Sequence, residues 1–417
     1  MRIAVVGTGI SGLVCAHLLA PRHDVTVFEA DSRPGGHSHT VHVSVDDREL
    51  AVDTGFLVYN ERTYPGLVRL FDELGVATEP SDMSFSVSDP ASGLEFRGTS
   101  ANSVFAQRRN LVNPAFLRML VDVTRFNRAG RRLLMDPPGP DYTLADMLAD
   151  GRWSEAFREW YLVPLGSSIW SADPTTFTRM PVATLTRFFE RHGMLATGDK
   201  PSWRTVSGGS VHYVEAVLAP IRAADRLRLS SPVDRITSTE DGVELQCRGQ
   251  RTESFDHVVV ATHSDQALAM LADATPTEKE VLGDIAYQCN RVTLHTDARL
   301  MPKSRRAWAA WNYHRPATPT DRVTLTYHLN QLQGLPTATP VLVTLNREAD
   351  IDPSTVLRTF DYAHPVMDSA TVAAQARHSQ ISGRRGVSFC GAYWGSGFHE
   401  DGLQSALAVC GGLGVRW

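Results

Sequence analysis

Arg2-Ile3-Ala4-Val5-Val6-Gly7-Thr8-Gly9-Ile10-Ser11-Gly12 stands near the start of the chain, followed by Leu13-Val14-Cys15-Ala16-His17-Leu18-Leu19-Ala20 and, beyond Pro21, by Asp24-Val25-Thr26-Val27-Phe28-Glu29. The β-branched runs predict strands over 2–6 and 24–28. The apolar stretch between them predicts a helix that Pro21 stops. This is a βαβ unit near the shortest length that a parallel crossover permits. Gly7, Gly9 and Gly12 fit G-x-G-x-x-G between strand and helix. The first permits a tight turn, the second lets backbone approach a pyrophosphate, and the third lets the helix pack closely on the strand. The helix start, with Ser11 in its first turn, offers unpaired N–H groups and a positive dipole end to phosphates. Glu29, twenty positions past Gly9, is placed to accept from the hydroxyls of an adenosine ribose.

Around this unit the composition is ordinary. A chain of 417 residues allows two or three domains, and 42% hydrophobic with 21% charged residues excludes wholesale disorder. A net charge of −5 gives no global field to attract nucleic acid, so a dedicated DNA or RNA binder is excluded. Cys15, Cys247, Cys289, Cys390 and Cys410 form no C-x-x-C pair and no metal-ligand spacing. His37 and His39 alternate with Ser38 and Thr40 without a third ligand, so no metal is expected. No 18-residue apolar run is present, and the N-terminus opens on a strand pattern rather than a signal, which reads as a cytoplasmic chain in a reducing compartment. Lys200, Lys279 and Lys303 are the only lysines, so a mechanism that needs one has three candidates.

Further strands are expected over 226–230, 242–247, 258–260, 292–295, 323–328 and 341–345. Helices are expected over 64–74, 114–134, 211–219, 265–271 and 403–410. The Trp- and Phe-rich stretches 153–170 and 308–313 show little regular alternation. Dinucleotide-type signals return near 205–270 and 386–410, which predicts a binding domain interrupted by insertions.

Glu29-Ala30-Asp31-Ser32-Arg33-Pro34-Gly35-Gly36 adds an arginine and a Gly-Gly pair that a simple NAD domain does not need. Here the chain resembles the glutathione-reductase-like FAD superfamily, and more closely its flavin amine oxidase and phytoene desaturase branch. The resemblance implies that Arg33 helps hold the phosphates, and that Gly35 and Gly36 let backbone pass close to FAD. Val233 follows a strand as the family's adenine-contacting valine does, and Phe255–Thr262 matches a strand ending in Ala261-Thr262 beside the cofactor. Gly391-Ala392, with Gly402-Leu403-Gln404, looks like the closing flavin motif, in which a glycine at a helix start aims N–H groups at the N1–C2=O edge of the ring. The segment Asp53–Tyr59 is expected to run past the flavin, with Gly55 and Phe56 close to it. The implied fold is α/β: a discontinuous glutathione-reductase-like (Rossmann-type) FAD-binding domain over 1–85, 205–275 and 386–417. An α+β substrate-binding domain, a mixed sheet plus a helical insertion, covers 86–204 and 276–385.

Amine oxidases of this branch carry a lysine near flavin N5, and Asn290 falls at that position. Gly391-Ala392 stands where many aromatic hydroxylases have Gly-Asp. The absence of C-x-x-C excludes disulfide reductases, and no second dinucleotide motif is visible. The segments 36–41, 53–60, 311–313 and 398–403 resemble a bacterial subgroup of this branch associated with fatty-acyl modification, which implies a lipid acyl substrate. His399, Glu400, Tyr59 and Asn290 are the candidate catalytic residues, although His399 and Glu400 at a helix entry also read as plain capping and network residues. Trp311, Tyr313, Tyr393 and Trp394 are the candidate substrate pocket, or else core aromatics. The expected reaction takes hydride from a hydrophobic acyl or isoprenoid C–H onto flavin N5, with oxygen or a quinone as electron acceptor. The alternatives are an amine oxidase with a non-standard site, a flavin isomerase without net redox change, and a flavin-free binding module like the Rab GDP-dissociation inhibitors. Finally, 108–134 carries seven arginines against one acid. It reads either as a basic helix peripheral to an anionic membrane or as a solvated face over the substrate domain.

Overall fold

A computed structural model describes residues 1–196, 201–316 and 320–417. Arg2–Val6 lies between Asp24–Phe28 and His257–Val260, pairing in parallel with both. Leu227–Arg228 and Val387–Phe389 complete a five-stranded parallel sheet at its two edges. Its central strands are buried on both faces, as β-branched runs without polar alternation require. Successive side chains enter different cores. Ile3 and Val5 pack with Leu13, Tyr213 and Leu403 under the helices Ile10–Leu19, Val211–Ala223 and His399–Gly412. Ala4 and Val6 pack on the other face with Phe28, Val243 and Phe255, beneath the antiparallel strands Val233–Thr239, Gly242–Cys247 and Glu253–Phe255.

A second, seven-stranded sheet runs in the order 356–365, 287–295, 342–345, 325–328, 311–314, 85–89, 94–97. All its pairs are antiparallel except Trp311–His314 with Phe85–Asp89. Helices between residues 101 and 191 cover it, the longest being Pro114–Met135. Asn113 caps that helix by accepting from the N–H groups of Ala115 and Phe116, and Pro114 opens it. Its inner stripe of Phe116, Met119, Phe126 and Gly130 is buried. The stretch 153–170 is helical after all; its alternation is broken by a π-turn over Arg158–Leu162.

The two sheets are tied by the hairpin Thr40–Val45/Arg48–Asp53, whose turn residues Asp46 and Asp47 adopt φ of 54° and 57°. Its ladder continues outward, because Thr54 N–H donates to the His39 carbonyl and Phe56 N–H to the His37 carbonyl. Asp53, buried at the hairpin's end, accepts from Thr40 Oγ1 on the facing strand and from Ser210 N–H and Ser210 Oγ at the start of Val211–Ala223. That helix runs through Pro220 to Ala223, beyond the expected end at 219, with Val217, Leu218 and Ile221 buried around the break.

Candidate active site

The first strand, the first helix and the Gly35-Gly36 turn meet in a cradle made of backbone. Gly7 adopts φ +99°, and a Cβ on Gly12 would lie 1.9 Å from the Gly7 carbonyl oxygen. Helix Ile10–Leu19 therefore packs against the turn at a distance only glycine permits. Gly9 is different: a Cβ there would meet nothing within 4 Å, while Gly36, at φ +56°, brings its own backbone beside Gly9. No side chain caps this helix and no acid lies in its first turn, so its leading N–H groups remain open to an anion. Glu29 is pre-oriented, accepting from Thr8 N–H at 3.0 Å, Thr8 Oγ1 and Asp31 N–H. Thr8 Oγ1 also accepts from Gly35 N–H, a bridge whose threonine nothing in the glycine spacing singles out. Arg33 donates to the Gly36 carbonyl, and Ala261 and Thr262 lie against Gly7. Val233 is buried at the head of its strand, in the core beneath Phe28. A Cβ on Gly55 would strike the His37 carbonyl, so the hairpin extension also depends on a missing side chain.

The closing motif is corrected in three respects. The last helix begins at His399, not near Leu403, and the Gly402 N–H is already bonded to the Phe398 carbonyl. The unpaired N–H groups belong to the turn before Gly402. The glycine instead admits Ile10 and Ser11, which would stand 2.7 and 2.9 Å from its Cβ, and Ser11 Oγ donates to the Gly402 carbonyl. Gln404 is exposed and donates to Glu400, so its side chain faces away from the cradle, while Leu403 is core. Glu400 accepts from Gly66 N–H and Leu67 N–H, each at 3.0 Å. Both oxygens cap helix Pro65–Leu74, which turns the carboxylate toward that helix start. Gly391 makes room for the ring of Tyr393, which would lie 2.2 Å from a Cβ.

His399 stacks on Phe56 with ring centroids 3.7 Å apart, and its Nε2 bonds Ser38 Oγ at 3.1 Å and the Tyr213 hydroxyl at 3.3 Å. Burial pushes its pKa down to about 3. Beside it runs a group of rings that sequence spacing did not join: His37 lies 5.4 Å from His364, 6.0 Å from His263 and 5.0 Å from Tyr362 between centroids. Burial holds His37 well below its usual range, and His39 and His364 at about 4, so these imidazoles are neutral. Among the described residues, the Nε2 of His37 is buried without a protein partner. Such an atom in a folded interior calls for a ligand or water.

Asn290 adjoins this group but is tied down. Its amide donates to the Ser171 carbonyl and bonds His364 Nδ1, while its oxygen accepts from Asn346. An amide neither gains nor loses a proton near neutral pH, so Asn290 is not a proton carrier, and these bonds hold it and the His364 ring in place. Of the lysines, Lys279 and Lys303 are exposed and Lys200 lies outside the described residues. Tyr59 belongs elsewhere, packed on Phe71 and Tyr64 in the dinucleotide-side core. The four aromatics of the expected pocket do not form one cage. Trp311 and Tyr313 belong to the core of the seven-stranded sheet, with Trp311 edge-on to Tyr327, whereas Tyr393 and Trp394 belong to the core under the parallel sheet. A cleft of about 480 Å³ lined by Asp89, Glu159, Trp160 and Arg315 shares none of these residues.

The backbone cradle, with a group of neutral rings that starts at His37 beside Gly36, belongs to an FAD-dependent oxidoreductase. The chain belongs to the flavin-containing amine oxidoreductase family, whose sequence pattern matches residues 10–344. A flavin-containing monooxygenase, ustF2, from Aspergillus flavus is 44% identical over 63 residues. The match covers 15% of this chain and only 13% of that protein. Cyclohexylamine oxidase from Brevibacterium oxydans superposes with a TM-score of 0.69 over 99% of each chain at 18% identity. A CLA-producing fatty acid isomerase from P. acnes does so with a TM-score of 0.68 over 98% of each chain at 15% identity. These likenesses establish the fold. Among the described residues no helix is long and apolar enough to cross a membrane.

Proposed function

We propose that this protein is an FAD-dependent dehydrogenase or desaturase acting on a neutral, hydrophobic substrate, a fatty-acyl or isoprenoid chain, with oxygen or a quinone as electron acceptor. The carrying observation is the wall of neutral imidazoles: His37, His39, His263 and His364 are all held below the usual histidine range by burial. The expected place of Asn290 at the branch's lysine position points the same way. An ammonium substrate meets there the like charge of Arg33, which acts on both His37 and His39, while Asp265 bears on His263 from the far side of the group. The fatty acid isomerase among the fold's neighbours supports an acyl ligand, and the amine oxidases among them support the runner-up reading.

When bound, FAD supplies a two-electron hydride acceptor. Gly9, Gly36 and the open helix start would hold its pyrophosphate, and Glu29 its adenosine ribose. Removal of hydride from one carbon leaves a proton to be taken from the next. His37 Nε2, unpartnered on a neutral ring, is the group free to take it. Asn290 and Tyr362 would fix the rings around it, through His364 Nδ1 and through the 2.7 Å bond between Tyr362 and His39.

The test is anaerobic bleaching of the flavin's visible absorbance, with unsaturated and cyclopropane acyl phospholipids set against polyamines and aromatic amines. Bleaching by an acyl lipid alone is expected. Bleaching by an amine overturns the proposal. An acyl product rearranged without bleaching replaces it with the isomerase reading, and a preparation that takes up no FAD replaces it with the binding-module reading.

A further inference from the structure

Seven large apolar side chains are strongly exposed among the described residues, and five of them lie between Leu111 and Met135: Leu111, Val112, Leu117, Val121 and Met135. The long helix of the insertion buries one stripe, Phe116, Met119, Phe126 and Gly130, against the substrate domain. At 100° per residue, Leu117, Val121, Arg128, Arg132 and Met135 all fall on the opposite stripe, and the turn before the helix adds Leu111 and Val112, 52% and 81% exposed. The outer face is therefore apolar at its N-terminal end and cationic at its C-terminal end.

The charge pattern is as one-sided as the apolar one. From Arg97 to Met135 the chain carries eight arginines and one acid, Asp122, in a protein of net charge −5. Asp122 is buried and paired with Arg118 and Arg125. Arg128 and Arg132 form no ion pair among the described residues, and along the helix no acid is exposed on this stripe before Asp136 at its C-cap. A solvated arginine face accounts for the cations but not for four aliphatic side chains beside them. A second copy of the chain would set arginine against arginine.

We infer that this face is a docking surface for a bilayer carrying anionic lipid. The aliphatic side chains at 111, 112, 117 and 121 would enter the headgroup boundary, while Arg128 and Arg132 meet the phosphates. The inference does not rest on the acyl reading. A protein that docks but is bleached by amines keeps this surface and loses the acyl proposal, and an acyl-specific enzyme that stays off vesicles does the reverse.

The holoenzyme is sedimented with vesicles of phosphatidylcholine alone and with vesicles of phosphatidylcholine and phosphatidylglycerol. Retention is expected only on the anionic vesicles, and it should fall as salt shortens the screening length. Each arginine near an anionic surface is worth roughly fivefold in partitioning, so Arg128→Glu with Arg132→Glu should lower it roughly twentyfold or more. Leu117→Ser with Val121→Ser should lower it at least about threefold at any salt concentration. All four positions are outside the core, and unchanged flavin content confirms folding. No retention, equal retention on both vesicles, or variants that partition like the parent overturn the proposal. So does a dimer in solution that Leu117→Ser with Val121→Ser dissolves, which makes the face a contact between copies.

Discussion

The cradle around Gly9 and the wall around His37 would face one ligand, yet they are built on opposite terms. The cradle consists of what is missing: side chains absent at Gly7, Gly12, Gly36 and Gly55 let main chain approach main chain. The wall consists of what is present, imidazoles and phenols from residues 37, 263, 287, 362 and 364, brought together by two sheets. A cradle of that kind is intolerant of added atoms and indifferent to most neighbouring identities. A wall of that kind can be re-chosen residue by residue without disturbing the fold. The fold can thus keep one cofactor while its substrates differ.

The largest expected effect separates two glycines of the same motif. Gly12→Val drives a side chain into the Gly7 carbonyl, 1.9 Å from the Cβ position, where only backbone could yield. It should yield a colourless protein destabilised by about 3 kcal/mol or more. Gly9→Ala keeps a φ of −61° and meets nothing within 4 Å. The apoprotein should unfold within about 0.5 kcal/mol of the parent, while FAD affinity falls at least about tenfold. Flavin titration with parallel denaturant unfolding measures both. A Gly9→Ala protein that binds FAD as the parent does would show the motif to be packing alone, and the comparison would fail at its first term.

The second effect distinguishes the sheets by their histidines. The seven-stranded sheet buries His295, His314 and His328, with burial pushing their pKa values down to about 4, 3 and 4; the parallel sheet buries only His257, at about 4. In the unfolded chain each titrates near 6.5. Between these values the unfolded state binds protons that the folded state does not, so stability is full above about pH 7 and is lost as pH falls toward 4. Each such group removes about 2 kcal/mol by pH 5. His314→Phe keeps a ring in place and cannot protonate. It should reduce the loss between pH 7 and pH 5 by about 2 kcal/mol, read from urea unfolding at the two pH values. An unchanged pH slope would mean that His314 is solvated in the fold.

What was legible in the sequence follows the same division. The parallel sheet, its first helix, and the glycines with Glu29 and Arg33 were readable, because each depends on spacing within a short segment. The C-terminal helix was placed too late, since its start is fixed by the Asp401 carboxylate accepting from Phe398 N–H rather than by an apolar run. The histidine wall was not readable. His37 stood out as a poor metal ligand and as part of the segment 36–41, and its partners at 263 and 364 lie more than two hundred residues away. The bonds that tie Asn290 down were not readable either, because the one from Asn346 crosses between neighbouring strands.

The smallest effect tests the correction on which the wall's neutrality depends. Glu400 is the carboxylate nearest in sequence to His399, and as a proton acceptor it would make the site an acid–base pair rather than an uncharged face. Its oxygens instead accept from Gly66 and Leu67 at the start of helix Pro65–Leu74, where a negative charge is favoured by the helix dipole. Glu400→Gln keeps one acceptor and removes the charge, so stability should fall by about 1 kcal/mol. The rate of anaerobic flavin bleaching should stay within about twofold of the parent. A general base removed from the same position would lower that rate by roughly 10²–10⁴. The two roles differ by orders of magnitude in one measurement, and a large loss would put a charge back into the wall and with it the case for a cationic substrate.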